Sequence, residues 1–191
     1  PPARGVGLIS VADVNAAAAA VTAAGGKVVY APVMLGERGE TAVFKDPEGV
    51  LFGVVHSKNG DPLDYAGELN EWYWVDLWTA DVEKAATFYR AAIGYETAPV
   101  ADDGPRSGVR LLSGGFARAG IMQKNSEKSS ATWLPYIRVA DAKAAAAAAR
   151  AAGGKVLLDP VAMNIATVAI IADPTGAPVG ILQLPAPEAQ P

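Results

Sequence analysis

Internal repetition constrains this chain more than any single motif. Val11-Ala12-Asp13 returns as Val139-Ala140-Asp141, Ala23-Ala24-Gly25-Gly26-Lys27-Val28 as Ala151-Ala152-Gly153-Gly154-Lys155-Val156, and Pro32-Val33 as Pro160-Val161, all at a spacing of 128. Asp46-Pro47-Glu48-Gly49 returns as Asp173-Pro174-Thr175-Gly176 at 127. A third copy lies between these two. Thr79-Ala80-Asp81 corresponds to Val139-Ala140-Asp141, and Gly120-Ile121-Met122-Gln123 to Gly180-Ile181-Leu182-Gln183, both offset by 60, while the first copy closes on the looser Gly53-Val54-Val55-His56. Copies of one unit must fold alike and bury their apolar faces against one another. The three are called modules A, B and C in chain order.

Each module reads as β-α-β-β-β. An alternating strand runs into an Asp whose carboxylate can accept from the free N–H groups of a helix start. An Ala-rich helix follows and stops at glycine, a Gly-Gly pair in A and C and Gly94 in B, suited to a left-handed C-cap. Three strands complete the unit, over 27–31, 41–46 and 50–56 in A, 95–100, 107–112 and 116–123 in B, and 155–158, 166–172 and 178–184 in C. The poly-Ala runs 16–20 and 144–149 follow from helix propensity and close packing of small residues on a sheet. Turn chemistry around Asn59-Gly60-Asp61-Pro62 marks a linker.

Composition removes several classes of function. The net charge of −4 is interspersed, without a basic block, so neither nucleic acid nor an anionic membrane surface has electrostatic support as a partner. The absence of cysteine excludes disulfides, thiolate nucleophiles and sulfur-ligated metals. No apolar run approaches the ~20 residues that cross a bilayer, and no membrane insertion is expected. There is no Gly-x-Ser-x-Gly elbow for a serine hydrolase. The chain starts at Pro1 without a methionine, so further N-terminal sequence is expected before it, and the compartment, cytoplasmic or exported, stays open.

The passage Trp74-Val75-Asp76-Leu77-Trp78-Thr79-Ala80-Asp81, followed by Phe88-Tyr89 and Gly94-Tyr95, together with the Asp-Pro-x-Gly hairpins of A and C, resembles the vicinal oxygen chelate superfamily. That superfamily includes glyoxalase I, extradiol dioxygenases and bleomycin-resistance proteins, and the resemblance covers nearly the whole chain. It implies an α+β fold in which βαβββ modules pair into curved mixed sheets around a cleft, helices outside. B (71–124) and C (131–186) have the flavours of a first and a second module and are expected to form one complete domain over 71–186, after a linker at 58–70. Module A (1–57) is of the second type, and its natural partner is expected either upstream or on another chain, which would make a homo-oligomer.

Metal-dependent members of the family place His or Gln seven residues before the capping Asp and Glu on the last strand. The corresponding residues here are Val6, Trp74 and Leu134, then Gly53, Gly120 and Gly180, so the resemblance implies a chain without metal, and no cofactor is expected. His56 is the single histidine and reads as an end-of-strand residue in register with Gln123 and Gln183. Strand parity puts Val75 and Leu77 against the helix, leaving Trp72, Trp74, Asp76 and Trp78 on the concave side of B. Arg118 and Met122 flank Gly120 there. In C the same rule places Leu134, Tyr136 and Arg138 in the cleft, with Leu182 beside Gly180. The glycines at the chelate positions leave space for an occupant.

Such a lining would suit a small aromatic or cationic ligand held by indole faces, with Asp76 as an orienting group or base and Arg118 or Arg138 holding a carboxylate or phosphate. Two other readings stand beside this one. In the first, Asp76 and an arginine perform metal-free lyase or hydrolase chemistry; in the second, the Trp-rich face is a scaffold that meets another protein.

Overall fold

The computed structural model describes residues 5–61, 67–100, 108–124, 129–163 and 165–185. Module A comprises β1 (Leu8–Ser10), α1 (Val14–Ala23), β2 (Lys27–Met34), β3 (Glu40–Lys45) and β4 (Leu51–His56). Module B comprises β5 (Trp72–Thr79), α2 (Val82–Ile93), β6 (Glu96–Pro99), β7 (Gly108–Ser113) and β8 (Phe116–Gln123). Module C comprises β9 (Thr132–Arg138), α3 (Ala142–Ala151), β10 (Lys155–Met163), β11 (Ala166–Ala172) and β12 (Pro178–Gln183). The order β-α-β-β-β therefore occurs in all three, and the fold is α+β. The opening of the expected strand at 107, part of the linker (62–66) and the domain end at 186 lie outside the described residues.

Local chemistry accounts for these elements. Asp13, Asp81 and Asp141 are extended N-cap residues whose carboxylates accept from backbone N–H groups of the first helical turn. After α1 and α3 the chain turns at Gly25 (φ 94°) and Gly153 (φ 83°), a backbone region that disfavours any residue with a Cβ. The second strands of A and C run beyond the expected 31 and 158, because register shifts in β2 and β10 let the ladder continue past Pro32 and Pro160.

The strands are ordered β1-β4-β3-β2 in one sheet and β10-β11-β12-β9-β5-β8-β7-β6 in the other. Within each module the first and last strands pair in parallel and the remaining neighbours are antiparallel. Among the described residues no helix is long and apolar enough to cross a membrane.

The chain separates into two compact units, one formed by Val6–Asp64 with Val75–Trp133, the other by Pro1–Gly5, Tyr65–Trp74 and Leu134–Pro191. This division departs from the expected boundaries at 57 and 71. Module A, read from the sequence as lacking a partner, shares a core with module B. Phe52 of β4 meets Phe88 and Tyr89 of α2 edge-on at 6.0 and 5.4 Å, and Phe44 lies 5.5 Å from Phe52. Such aromatic pairs add about 0.5–1.5 kcal/mol each beyond the area they bury. The reading by strand type overlooked them because it assigned α2 a solvent-facing outer side. In the other unit, the smaller core of Ala142, Ala169 and Ile181 belongs to module C alone.

Candidate functional site

Module B presents two faces of different character. Leu77 and Thr79 of β5 are fully buried, and Val75 packs on the same core. Alternation therefore sets Asp76 and Trp78 on the face away from α2. On β8, Ala119 and Ile121 belong to the core, which sets Arg118, Gly120 and Met122 on that same face, away from α2. The ladders align Asp76 with Gly120 and Trp78 with Met122, then Gly120 with Arg110 and Met122 with Gly108 on β7. A carboxylate and a guanidinium thus flank a residue with no side chain, on strands about 10 Å apart.

Arg110 is the member of this row that sequence reasoning missed. Parity was applied to the first and last strands of the module, and the same rule on the middle strand would have found it. Met122 lies against Gly108, where a Cβ would stand 2.6 Å from its Sδ, so this methionine serves as packing over the β7 backbone. The Arg118 guanidinium sits 5.6 Å over the Phe116 ring. Burial pushes the Tyr95 phenol up from its ordinary range, with the Arg118 cation opposing that shift.

The remaining predicted residues belong to the other unit. Trp72 stands 62 % exposed, whereas Leu134 and Tyr136 are only 2 and 4 % exposed. Arg138 was expected to hold an anion. Its Nη1 instead donates to the Gly67 carbonyl at 3.0 Å, and its guanidinium lies 5.8 Å over the Tyr73 ring, so it binds the segment before β5 onto β9. Trp74, Asp76, Trp78, Arg118 and Tyr136 all have partners within the structure.

The chelate glycines do not leave the space expected of them at two positions. A Cβ on Gly180 would lie 2.2 Å from Cδ1 of Tyr136, its ladder partner, and a Cβ on Gly53 would lie 2.5 Å from Cδ2 of its partner Leu8. The large side chain one strand over occupies the volume, a close approach that only glycine permits. The register also shows which first-strand residues face these glycines: Leu8, Asp76 and Tyr136. With Val6, Trp74 and Leu134 they make six first-strand positions, of which Asp76 alone carries a carboxylate or imidazole. A divalent ion needs several N or O donors converging on one point, and among the described residues no three His, Cys, Asp or Glu come together. The residues present do not fit the family's metal.

His56, Gln123 and Gln183 share one role. His56 Nδ1 lies 3.1 Å from the Val11 carbonyl, Gln123 Nε2 donates to the Ala80 carbonyl at 3.0 Å, and Gln183 Oε1 accepts from Ala142 N–H at 2.9 Å. Each ties the end of its module's last strand to the corner where the first strand enters the helix.

Also outside the sequence-based site is a buried polar chain in the unit of modules A and B. Trp133 Nε1 donates to the Tyr89 hydroxyl at 3.0 Å, and that hydroxyl donates to Asp46 Oδ2 at 3.3 Å. Burial raises the Asp46 carboxyl above its ordinary value and holds the Tyr89 phenol far above the usual range. The Asp-Pro-x-Gly repeat pointed to this hairpin, but spacing alone could not show that only one copy is buried.

Residues 72–182 match the profile of a family described as a glyoxalase-like domain. CFP32 of Mycobacterium bovis, which carries the name of a glyoxylase, is 30 % identical over 182 residues, covering 94 % of this chain and 69 % of that protein. The anthracycline biosynthesis protein DauV of Streptomyces sp. (strain C5) is 28 % identical, covering 90 % of this chain and 62 % of its own length. The crystal structure of an Mn(II)-bound glyoxalase from Novosphingobium aromaticivorans superposes with a TM-score of 0.60 at 19 % identity, over 92 % of this chain and 62 % of that one. A trihydroxybiphenyl dioxygenase from Sphingomonas wittichii gives 0.60 at 17 % identity, over 96 and 71 %. The βαβββ repeats, the match over most of modules B and C and the mycobacterial relative together place this chain in the glyoxalase-like domain family, within the vicinal oxygen chelate fold.

Proposed function

We propose that this chain binds a small aromatic or cationic molecule without a metal ion, on the glyoxalase/bleomycin-resistance fold. The observation that carries this reading is the filling of the first-strand positions: Leu8 and Tyr136 occupy the volume beside Gly53 and Gly180, and Asp76 is the one carboxylate among Val6, Leu8, Trp74, Asp76, Leu134 and Tyr136. The indole of Trp78 supplies a face for stacking, and Asp76 supplies an anion for a cationic group.

The test is a titration of intrinsic Trp fluorescence against planar cations and neutral aromatics, repeated with Asp76→Asn and Trp74→Ala. A saturable response that weakens roughly tenfold or more in Asp76→Asn, about 1.4 kcal/mol, is expected. No response from any compound would favour the scaffold reading. Stoichiometric Zn²⁺ or Ni²⁺ in metal analysis of the same protein would sink the metal-independent one.

The arrangement of Asp76 and Arg110 on either side of Gly120 favours a second reading, lyase or hydrolase chemistry in which the carboxylate moves a proton and the guanidinium holds developing negative charge. Turnover lost in both Asp76→Asn and Arg110→Gln, with ligand binding retained, would support it.

A further inference from the structure

We propose that Tyr89 is a redox site: it gives up an electron to a one-electron-oxidised Trp133 while its phenol proton passes to Asp46. This goes beyond the ligand reading and depends on different residues. The direction of each hydrogen bond in the buried chain is fixed by the groups themselves. An indole N–H can only donate and an ionised carboxylate can only accept. Trp133 Nε1–H therefore points its proton at the Tyr89 oxygen at 3.0 Å, and the Tyr89 proton is left for Asp46 Oδ2 at 3.3 Å. The other carboxylate oxygen, Oδ1, already holds the N–H groups of Glu48 and Val50 at 3.0 and 2.8 Å, which leaves Oδ2 to receive a proton.

Position suits each residue to its step. Trp133 is partly buried, and its ring meets that of Tyr89 edge-on at 5.4 Å, a contact that lets an electron pass directly. Tyr89 is fully buried and closed in by the rings of Phe52 and Phe88 at 5.4 and 5.0 Å. A phenyl ring is far harder to oxidise than a phenol, and the chain has no cysteine whose thiol would compete for the oxidising equivalent. Burial holds the Tyr89 phenol far above its usual range and raises the Asp46 carboxyl, so the phenol does not ionise beforehand and the carboxylate is a stronger base than an exposed one. Electron and proton therefore leave Tyr89 together.

The oxidant is a small diffusible radical of the class that removes one electron from an indole. It takes that electron from Trp133 and leaves an indole radical cation. An electron then passes from Tyr89 to Trp133, and the phenol O–H bond breaks as an O–H bond forms on Asp46 Oδ2. The products are a restored indole, a neutral tyrosyl radical and a protonated carboxyl. Before the step the site holds a cation on Trp133 and an anion on Asp46; after it all three groups are neutral, the state that burial favours.

The test is pulse radiolysis of the full chain with azide radicals, which oxidise indoles, while transient absorption follows the indole and tyrosyl radicals separately. The indole signal is expected to decay as the tyrosyl signal grows, in a first-order step independent of protein concentration. Tyr89→Phe keeps the ring contacts and is expected to remove most of the tyrosyl signal. Trp133→Phe is expected to reduce it as well. Asp46→Asn, whose amide oxygen still accepts within the turn but takes no proton, is expected to slow the conversion more than about tenfold. Where circular dichroism shows that Asp46→Asn does not fold, slower conversion of the wild type in D2O than in H2O tests the same proton transfer. A tyrosyl signal undiminished in Tyr89→Phe, or a rate indifferent both to Asp46→Asn and to D2O, overturns the proposal.

Discussion

The Asp-Pro-x-Gly hairpin occurs twice in this chain and does two different things. In both copies the first Asp accepts from backbone N–H groups inside its own turn: Asp46 Oδ1 from Glu48 and Val50 at 3.0 and 2.8 Å, Asp173 Oδ1 from Thr175 and Ala177 at 2.8 and 2.9 Å. In module A the hairpin is also a connector. Asp46 is 5 % exposed and accepts from Tyr89, while the Glu48 carboxylate accepts from the Thr79 hydroxyl and from Ala80 N–H at 3.1 Å. In module C the Asp173 side chain lies in solvent and, among the described residues, bonds within the turn alone. One local motif thus makes the same bend in both places, and its neighbours decide whether it also holds two modules together.

Removing the first Asp gives the widest separation between the copies. Asp46→Ala leaves buried donors on Val50 and Tyr89 without an acceptor, at a cost of about 3 kcal/mol. For a chain of this size that lowers Tm by roughly 6–12 °C. Asp173→Ala exposes its donors to water, which replaces the lost acceptor, and the Tm shift is expected to be a small part of the first. Equal shifts in calorimetry would show that the two hairpins bear the same load.

Exchanging the third residue sharpens the contrast. Glu48→Thr gives hairpin A the sequence of hairpin C and cuts its tie to the start of α2, at about 1 kcal/mol. Thr175→Glu makes the reverse change where, among the described residues, no such corner is bonded; it removes only the exposed Thr175 hydroxyl bond to Asp173, and its Tm shift is expected to be smaller than that of Glu48→Thr. Tyr89→Phe, which separates Trp133 from Asp46 but keeps the ring contacts with Phe52 and Phe88, is expected to cost a similar 1–2 kcal/mol. A neutral Tyr89→Phe would mean that the polar chain is bystander to aromatic packing.

These residues also show what the sequence could and could not disclose. Strand parity on β5 was readable because Val75, Leu77 and Thr79 alternate with Trp74, Asp76 and Trp78, and a two-residue period needs no knowledge of neighbours. Helix caps were readable for the same reason: Asp13, Asp81 and Asp141 act on their own next turn. Partners distant in sequence were not. Sequence separations of 43 from Asp46 to Tyr89 and of 71 from Gly67 to Arg138 leave no periodic trace. Gly53 and Gly180 misled for a related reason: a glycine opposite Leu8 or Tyr136 is a filled site, and a glycine alone reads as an empty one. Arg110 was within reach of the parity rule but lay on a strand to which it was not applied.

The smallest effect is the one that distinguishes the two carboxylates by sign. Burial favours the neutral form of Asp46, so its folded pKa lies above the ordinary 3.8, and its contribution to stability is complete below that value and lost as pH rises through the folded pKa. Asp173 runs the other way. The Thr175 hydroxyl, with backbone N–H groups of its turn, draws its folded pKa below 3.8, so its contribution is present above that value and lost as pH falls through the folded pKa. Thermal unfolding of the wild type against Asp46→Asn and Asp173→Asn between about pH 2.5 and 7 separates the two, since each asparagine removes one titration. The wild type is expected to lose ground to Asp46→Asn as pH rises and to gain on Asp173→Asn over the same interval. Parallel trends would mean that Asp46 is hydrated in solution, and with that the buried connection between Asp46, Tyr89 and Trp133 would lose its support.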